Sequence, residues 1–235
     1  YTQADKIIQM ATTVISSLIS VLLPTMAALS NKDGMKELKR LLDKSLKFIF
    51  LLSVPMCAGC LLVIDEFVPF FFGKGYDPVS DIIKIQSILF IVVNVGRLFG
   101  TTLVATGQQV KYTYAVISAA VLNFVLNAAS LQFFNLGAIG VSVSSVLAEF
   151  FAAAIQVYFM KELIVLRELA ILFKKYLFPS IIMGCAIVSL RTFIGTGIVQ
   201  LFMQVVLGGC VYTGILFFTR DELVYSIVNK AKKKW

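Results

Sequence analysis

Of the 235 residues, 59% are hydrophobic and 14% charged, with a mean hydropathy of +0.90 and a net charge of +8. Soluble domains average about 45–50% apolar and about 25% charged residues, so the composition excludes an ordinary water-soluble domain and points to the membrane. Histidine is absent, which excludes imidazole general-base chemistry and removes the commonest metal ligand.

A helix needs about 20 mostly apolar residues to cross a bilayer. Seven stretches qualify, at 7–29, 45–64, 82–105, 112–134, 138–160, 176–194 and 198–218. The chain opens on YTQADKIIQM, which sets Asp5 beside Lys6 at the lip of the first span. An ionised side chain inside a bilayer costs roughly 2.5–3.5 kcal/mol on insertion scales, so such a pair needs a partner and a purpose. The start on Tyr1, without a signal-peptide pattern, reads as a cut inside a longer reading frame or as a processed or truncated product. NKDG at 31–34 closes the first span. GMKELKRLLDKSLKF then sets leucines against basic residues, as suits a helix lying at headgroup level before the second span.

The second span carries CAGC, with Cys57 and Cys60 in an apolar run and no second pair at zinc spacing. Small packing residues account for it better than a metal or redox site. FGKGYDP at 72–78 ends that span among aromatics and the acids Asp65, Glu66, Asp77 and Asp81. The third span contains GRLFG at 96–100, a small-xxx-small packing pattern, and ends at TGQQ. NLGAIG separates the fourth and fifth spans, and the amphipathic KELIVLRELAILFKK joins the fifth to the sixth. The last two spans carry few polar residues beyond Arg191, Gln200 and Gln204 and read as lipid-facing packing helices. No strand-length alternation competes, so the expected fold is all-α: a multi-pass membrane helix bundle of about seven transmembrane helices.

Charge sets the expected orientation. Lys32, Lys36, Lys39, Arg40 and Lys44 follow the first span. Lys161, Arg167, Lys174 and Lys175 follow the fifth, and Arg220 with Lys230, Lys232, Lys233 and Lys234 follow the seventh. Alternating spans put all of these on one side, opposite connections whose one base is Lys74. The positive-inside rule makes that side, with the C-terminus, cytoplasmic. The same asymmetry accounts for the net charge without nucleic acid as a partner.

Spacings of three, four and seven share a helix face. Four spans then carry polar stripes: Lys6, Thr13, Ser17, Ser20 and Pro24; Gln86, Asn94, Arg97 and Thr101; Asn123, Asn127 and Ser130; Ser142, Ser145, Glu149 and Gln156. Lipid does not tolerate such stripes, so they face other helices or a watery cavity. For Ser17, Ser20, Ser142 and Ser145 interhelical hydrogen bonding suffices as an explanation. Arg97 and Glu149 either pair with each other or line a hydrated cavity, and arginine offers a planar fork for phosphate.

YTQADKI followed by VLLPTMAALS, then KELKRLLDKSLKF, LVATGQQVKY and VLNFVLNAASLQFFNLGAIGVSVSSVLAEF, resembles in order the second half of bacterial polysaccharide flippases. These are the Wzx-type O-antigen and capsule exporters of the multidrug/oligosaccharidyl-lipid/polysaccharide superfamily, which also includes the peptidoglycan lipid flippases. The resemblance runs through about residues 1–160 and more loosely beyond. It implies two six-helix lobes around a central cavity and alternating access, moving lipid-linked sugars to the outer leaflet of the bacterial inner membrane. On that plan residues 1–160 form a five-helix part of the second lobe. Residues 161–175 are an amphipathic cytoplasmic linker, 176–218 an added helix pair and 219–235 a basic cytoplasmic tail. The implied partners are the bilayer, a polyprenyl pyrophosphate-linked oligosaccharide and a missing N-terminal lobe; no cofactor or metal is implied. Lys6 and Arg97 would meet the anionic headgroup, and Asn94, Asn123 and Asn127 would meet sugar hydroxyls. Glu149 would couple a proton or cation to the motion, and Asp5 matches the acid of the family's A-D pair.

Two other classes compete. A drug or cation antiporter of the same superfamily would show a cavity dominated by acids. A membrane-embedded glycosyltransferase or polymerase partner would need catalytic carboxylates, for which Asp65, Glu66, Asp77 and Asp81 are available.

Overall fold

A computed structural model describes residues 2–30, 34–73, 75–164, 166–191 and 197–225, apart from the side chain of residue 77. Lys32, Lys74, Asp77's carboxylate and the cluster Lys230, Lys232, Lys233 and Lys234 lie outside the described set. Every regular element within it is a helix: α1 (Thr2–Ala28), α2 (Met35–Phe72), α3 (Asp77–Gln86), α4 (Leu89–Ala105), α5 (Gln109–Gln132), α6 (Gly137–Phe159), α7 (Leu166–Arg191) and α8 (Ile198–Phe218). Seven helical runs among the described residues are long and apolar enough to cross a membrane, with α3 and α4 together supplying one, Pro78–Ala105. The protein is an all-α multi-pass membrane bundle.

The element borders depart from the sequence reading in three places. The basic stretch after residue 34 is no separate surface helix but the opening turns of α2, which has 38 residues. A helix of that length spans roughly 57 Å against a hydrocarbon core of about 30 Å, so one end projects from the apolar layer. Its leucines do not face headgroups: Leu38, Leu42, Leu46 and Ile49 are buried in the core beside Ile164, Leu169 and Tyr176. Likewise, the stretch after the fifth span turns at 161–164 and then becomes the first turns of α7.

The third difference is an interruption at Ser87 and Ile88, between α3 and α4. No proline or glycine causes it. The ladder tightens there to three-residue spacing, with Phe90 N–H donating to the Ser87 carbonyl and Ile91 N–H to that of Ile88, both at 3.1 Å. The Ser87 hydroxyl donates to the Lys84 carbonyl at 2.7 Å.

α2 lies between two groups of helices. On one side α1, α4, α5 and α6 pack in a ring, through α1 on α4, α4 on α6 and α5 on α6; on the other, α7 and α8 pair and lie along α2. At Gly100 the Tyr112 ring of α5 lies against α4, where a Cβ would sit 2.8 Å from it. The GRLFG pattern therefore serves packing, as its spacing suggests. α4 ends at Gly107, whose φ of 74° lets Gln108 N–H reach the Leu103 carbonyl at 2.8 Å.

Ionic contacts hold α7 and α8 to α2 at both ends. At one, Arg191 Nε lies 2.7 Å from Glu66 Oε1, its guanidinium also donates to the Leu62 carbonyl, and Gln204 Nε2 donates to Glu66 Oε2 at 2.8 Å. At the other, Lys47 pairs with Glu222 and Lys175 with Asp221, each at 2.5 Å. The Asp221 side chain is fully buried, accepts from the Tyr176 hydroxyl at 3.3 Å and caps the backbone N–H groups of Leu223 and Val224. Burial pushes the Asp221 carboxyl up. The Lys175 hydrogen bond and charge, with the two backbone donors, outweigh burial and hold it below the usual carboxylate range.

Two outcomes follow for stability. Replacing Glu66 with Ala leaves Arg191 and Gln204 without their shared carboxylate, so thermal unfolding in detergent is expected to show a loss of about 2 kcal/mol. Because the Asp221 carboxyl is depressed on folding, its contribution is complete above the unfolded-state value and fades as pH falls through the folded one. Acid titration of the unfolding midpoint is therefore expected to show a fall that Asp221→Asn removes, at a cost near neutral pH of about 2 kcal/mol.

Candidate functional site

The ring of α1, α4, α5 and α6, with the last turn of α3, encloses a cavity of about 810 Å³. α1 contributes Asp5, Gln9, Thr12 and Thr13; α3 contributes Gln86; α4 contributes Gly96 and Arg97. Tyr112 and Asn123 come from α5, and Ser145, Glu149 and Gln156 from α6. Between them the wall is lined by small and apolar residues, Ala119, Ala120, Ala148, Ala152 and Ala153 among them. The alanines are what let polar side chains project into open space rather than into packing.

Of the sequence-predicted site residues, Asp5, Arg97, Asn123 and Glu149 come together on this cavity. Asp5 Oδ2 accepts from Gln9 Nε2 at 2.7 Å. Asn123 Oδ1 accepts from Asn127 Nδ2 at 2.6 Å, so Asn127 stands behind the wall and orients the residue in front. Asn94 is fully buried, donates to the Phe90 carbonyl of its own helix at 2.7 Å and is not a lining residue. Lys6 is exposed on α1, next to Asp5, and is likewise not among the lining residues. The charged groups on the wall are thus one base, Arg97, and two acids, Asp5 and Glu149.

Three of the serines differ from the sequence reading. Ser17, Ser20 and Ser142 donate to carbonyls of their own helices, at 2.9, 3.1 and 2.8 Å. A serine three or four residues beyond a carbonyl can satisfy its hydroxyl locally, with no neighbouring helix needed. The acids considered for catalysis are engaged as well. Asp65 lies 2.6 Å from Lys84, Asp81 lies 4.0 Å from the same ammonium, and Glu66 is bound to Arg191. Asp65 and Glu66 of α2 and Asp81 of α3 are thus each held in an ion pair.

Sequence reasoning passed over two residues. Gln86 and Gln156 are buried on the wall, and both lay on polar stripes, but neither carried a charge to single it out. It also set α7 and α8 aside as lipid-facing, whereas Arg191 and Gln204 bind Glu66 across more than a hundred residues. The signal was an arginine and a glutamine near the same bilayer face as an unmatched glutamate.

The sequence matches the family of lipid II flippase MurJ over residues 1–208. The chain belongs to that family. Among curated proteins it is similar to a probable low-salt glycan biosynthesis flippase, Agl15, of Haloferax volcanii, at 23% identity over 197 residues, covering 83% of this chain and 41% of that protein. Its fold is that of a solved structure of lipid II flippase MurJ in an inward closed conformation, with a TM-score of 0.75 at 16% identity, over 94% of this chain and 46% of that one. The chain spans less than half the length of either relative. The Wzx-type resemblance therefore holds at the level of a lipid-linked flippase family, here the MurJ one. A family named for flipping sides with the expectation that the chain is no enzyme.

Accessibility distinguishes the lining residues from those behind them. In a chain whose four cysteines are replaced by alanine, Asn123→Cys is expected to react readily with a small hydrophilic maleimide, and Asn94→Cys to stay unlabelled until the protein is unfolded.

Proposed function

We propose that this chain is the second transport lobe of a flippase that moves a polyprenyl pyrophosphate-linked oligosaccharide from the cytoplasmic to the outer leaflet of a bacterial inner membrane, by alternating access. Its C-terminus is cytoplasmic on the positive-inside rule. The substrate class extends from a peptidoglycan lipid precursor to the O-antigen and capsule repeat units suggested by the sequence. The observation that carries the reading is Arg97 on a polar cavity inside a membrane bundle of the MurJ family.

An anionic headgroup faces a large barrier in the hydrocarbon layer, and a cation in a hydrated cavity lowers it. At an effective dielectric near 20 the attraction is roughly 4 kcal/mol at contact distance. Arg97 meets the pyrophosphate through its planar fork. Asn123, oriented by Asn127, bonds sugar hydroxyls. Lys6, on an exposed face of α1, supplies a second cation toward the first lobe, and Asp5 and Glu149 are the acids through which a proton or cation couples to rocking.

The two acids on the wall favour a second reading, a cation-coupled drug antiporter of the same superfamily. Leaflet assays separate the two. In proteoliposomes of the chain joined to its first lobe, a labelled lipid-linked oligosaccharide is expected to change leaflet with its covalent structure intact, and Arg97→Ala to abolish that movement. Undiminished movement in the variant overturns the phosphate role. Movement of a cationic drug, with the lipid left in place, overturns the flippase reading.

A further inference from the structure

Gln86 is fully buried at the last turn of α3, directly before the interruption at Ser87 and Ile88, and it lines the cavity. Among the described residues neither its Nε2 nor its Oε1 has a hydrogen-bond partner. Native interiors rarely keep an amide unmatched on both its donor and its acceptor, and each such group calls for an explanation.

The polar neighbours along the cavity are committed elsewhere. Gln9 donates to Asp5, Ser87 to the Lys84 carbonyl, and Thr12 and Thr13 to carbonyls of α1. Interrupted backbone at membrane depth is itself tolerated where it is buried in protein or lines a cavity, and the break beside Gln86 is buried, with Ser87 1% exposed. Gln86 and Arg97 are separated by eleven positions along α3 and α4. The helical rise places roughly 16 Å between them. Gln86 thus lies at a different level of the cavity from a pyrophosphate held at Arg97. At that distance from the phosphate a lipid-linked glycan presents sugar, whose hydroxyl and acetamido groups are neutral and offer donors together with acceptors. A primary amide matches both at once, through Nε2–H and Oε1.

We propose that Gln86 is a sugar-reading position: its amide hydrogen-bonds a hydroxyl or acetamido group of the glycan while Arg97 holds the anionic end. This rests on the flippase reading above and divides the cavity by chemistry, charge recognition at one level and glycan recognition at another. Gln86 thereby contributes to which glycan is accepted, not to how tightly the phosphate is held.

The test uses the chain joined to its first lobe, in lipid nanodiscs, and two probes, a bare polyprenyl pyrophosphate and the same lipid carrying a di-N-acetylglucosamine unit. The unaltered chain is expected to bind the glycosylated probe about tenfold more tightly, as one or two hydrogen bonds from a buried amide allow. Gln86→Met, of similar length and apolar, is expected to erase that advantage and leave the bare probe unchanged. Its thermal stability without ligand is expected to match or exceed that of the unaltered chain, since the unmatched amide is gone. Arg97→Gln is expected to weaken both probes alike. A preserved advantage in Gln86→Met, equal weakening of both probes, or a lowered stability identifies a packing amide and overturns the inference. Equal binding of both probes by the unaltered chain also overturns it, while leaving the flippase reading in place. No binding of either probe overturns that reading, and the inference with it.

Discussion

Ionised and amide side chains cannot face acyl chains, and the arrangement of this bundle follows from that constraint. α1, α4, α5 and α6 each bring polar residues to membrane depth. The helices meet so that several of these side chains, Asp5, Arg97, Asn123 and Glu149 among them, share one cavity. Small residues make this possible. Alanines along α5 and α6 leave the volume open, and Gly96 and Gly100 thin the α4 wall where Gln156 and Tyr112 approach. Asn94 and Asn127, which stay out of the cavity, place their Nδ2 donors at short range, on the Phe90 carbonyl and on Asn123, and leave their Oδ1 atoms without a partner among the described residues. The result is a polar space inside a helical membrane bundle.

α2 separates this chemistry from the rest of the chain. One flank supports the cavity ring through α4, and the other carries α7 and α8. The added pair is not passive cladding, because Glu66 binds Arg191 and Gln204 together. Removing a charged group from water is unfavourable unless it is paired, and here each partner supplies what the other needs. The apolar core running from Leu38 to Tyr212 and Leu216 joins α2, α7 and α8 into one unit.

The crossings were legible in the sequence because membrane helices announce themselves by length and apolarity alone. Partnership was less so. A stripe of polar residues shows that a face avoids lipid, yet not whether it meets a cavity or another helix. Arg97, Asn123 and Glu149 line the cavity; Asn94, on the same helix as Arg97, turns into packing, and the two differ by less than one turn. Lys6 and Asp5 are adjacent in sequence, so successive side chains point about 100° apart and one of them lines the wall. The α3–α4 break escaped notice because no glycine or proline marks it. Glu66 and Arg191 escaped because an ion pair far apart in sequence leaves no local pattern.

The ionic contacts of the bundle also differ in how water reaches them. Lys39 and Glu168 are each 43% exposed and Glu222 is 76% exposed, on the projecting stretch of α2 and its neighbours, whereas the Asp221 carboxylate that Lys175 meets is fully buried. Arg191 and Glu66, at 33% and 23%, lie between these extremes. Dissolved salt weakens exposed pairs within a screening distance of about 8 Å at physiological ionic strength and leaves covered ones nearly untouched. Cohesion among α2, α7 and the segment after α8 thus combines pairs that added salt loosens with the buried Asp221 contact that it leaves in place.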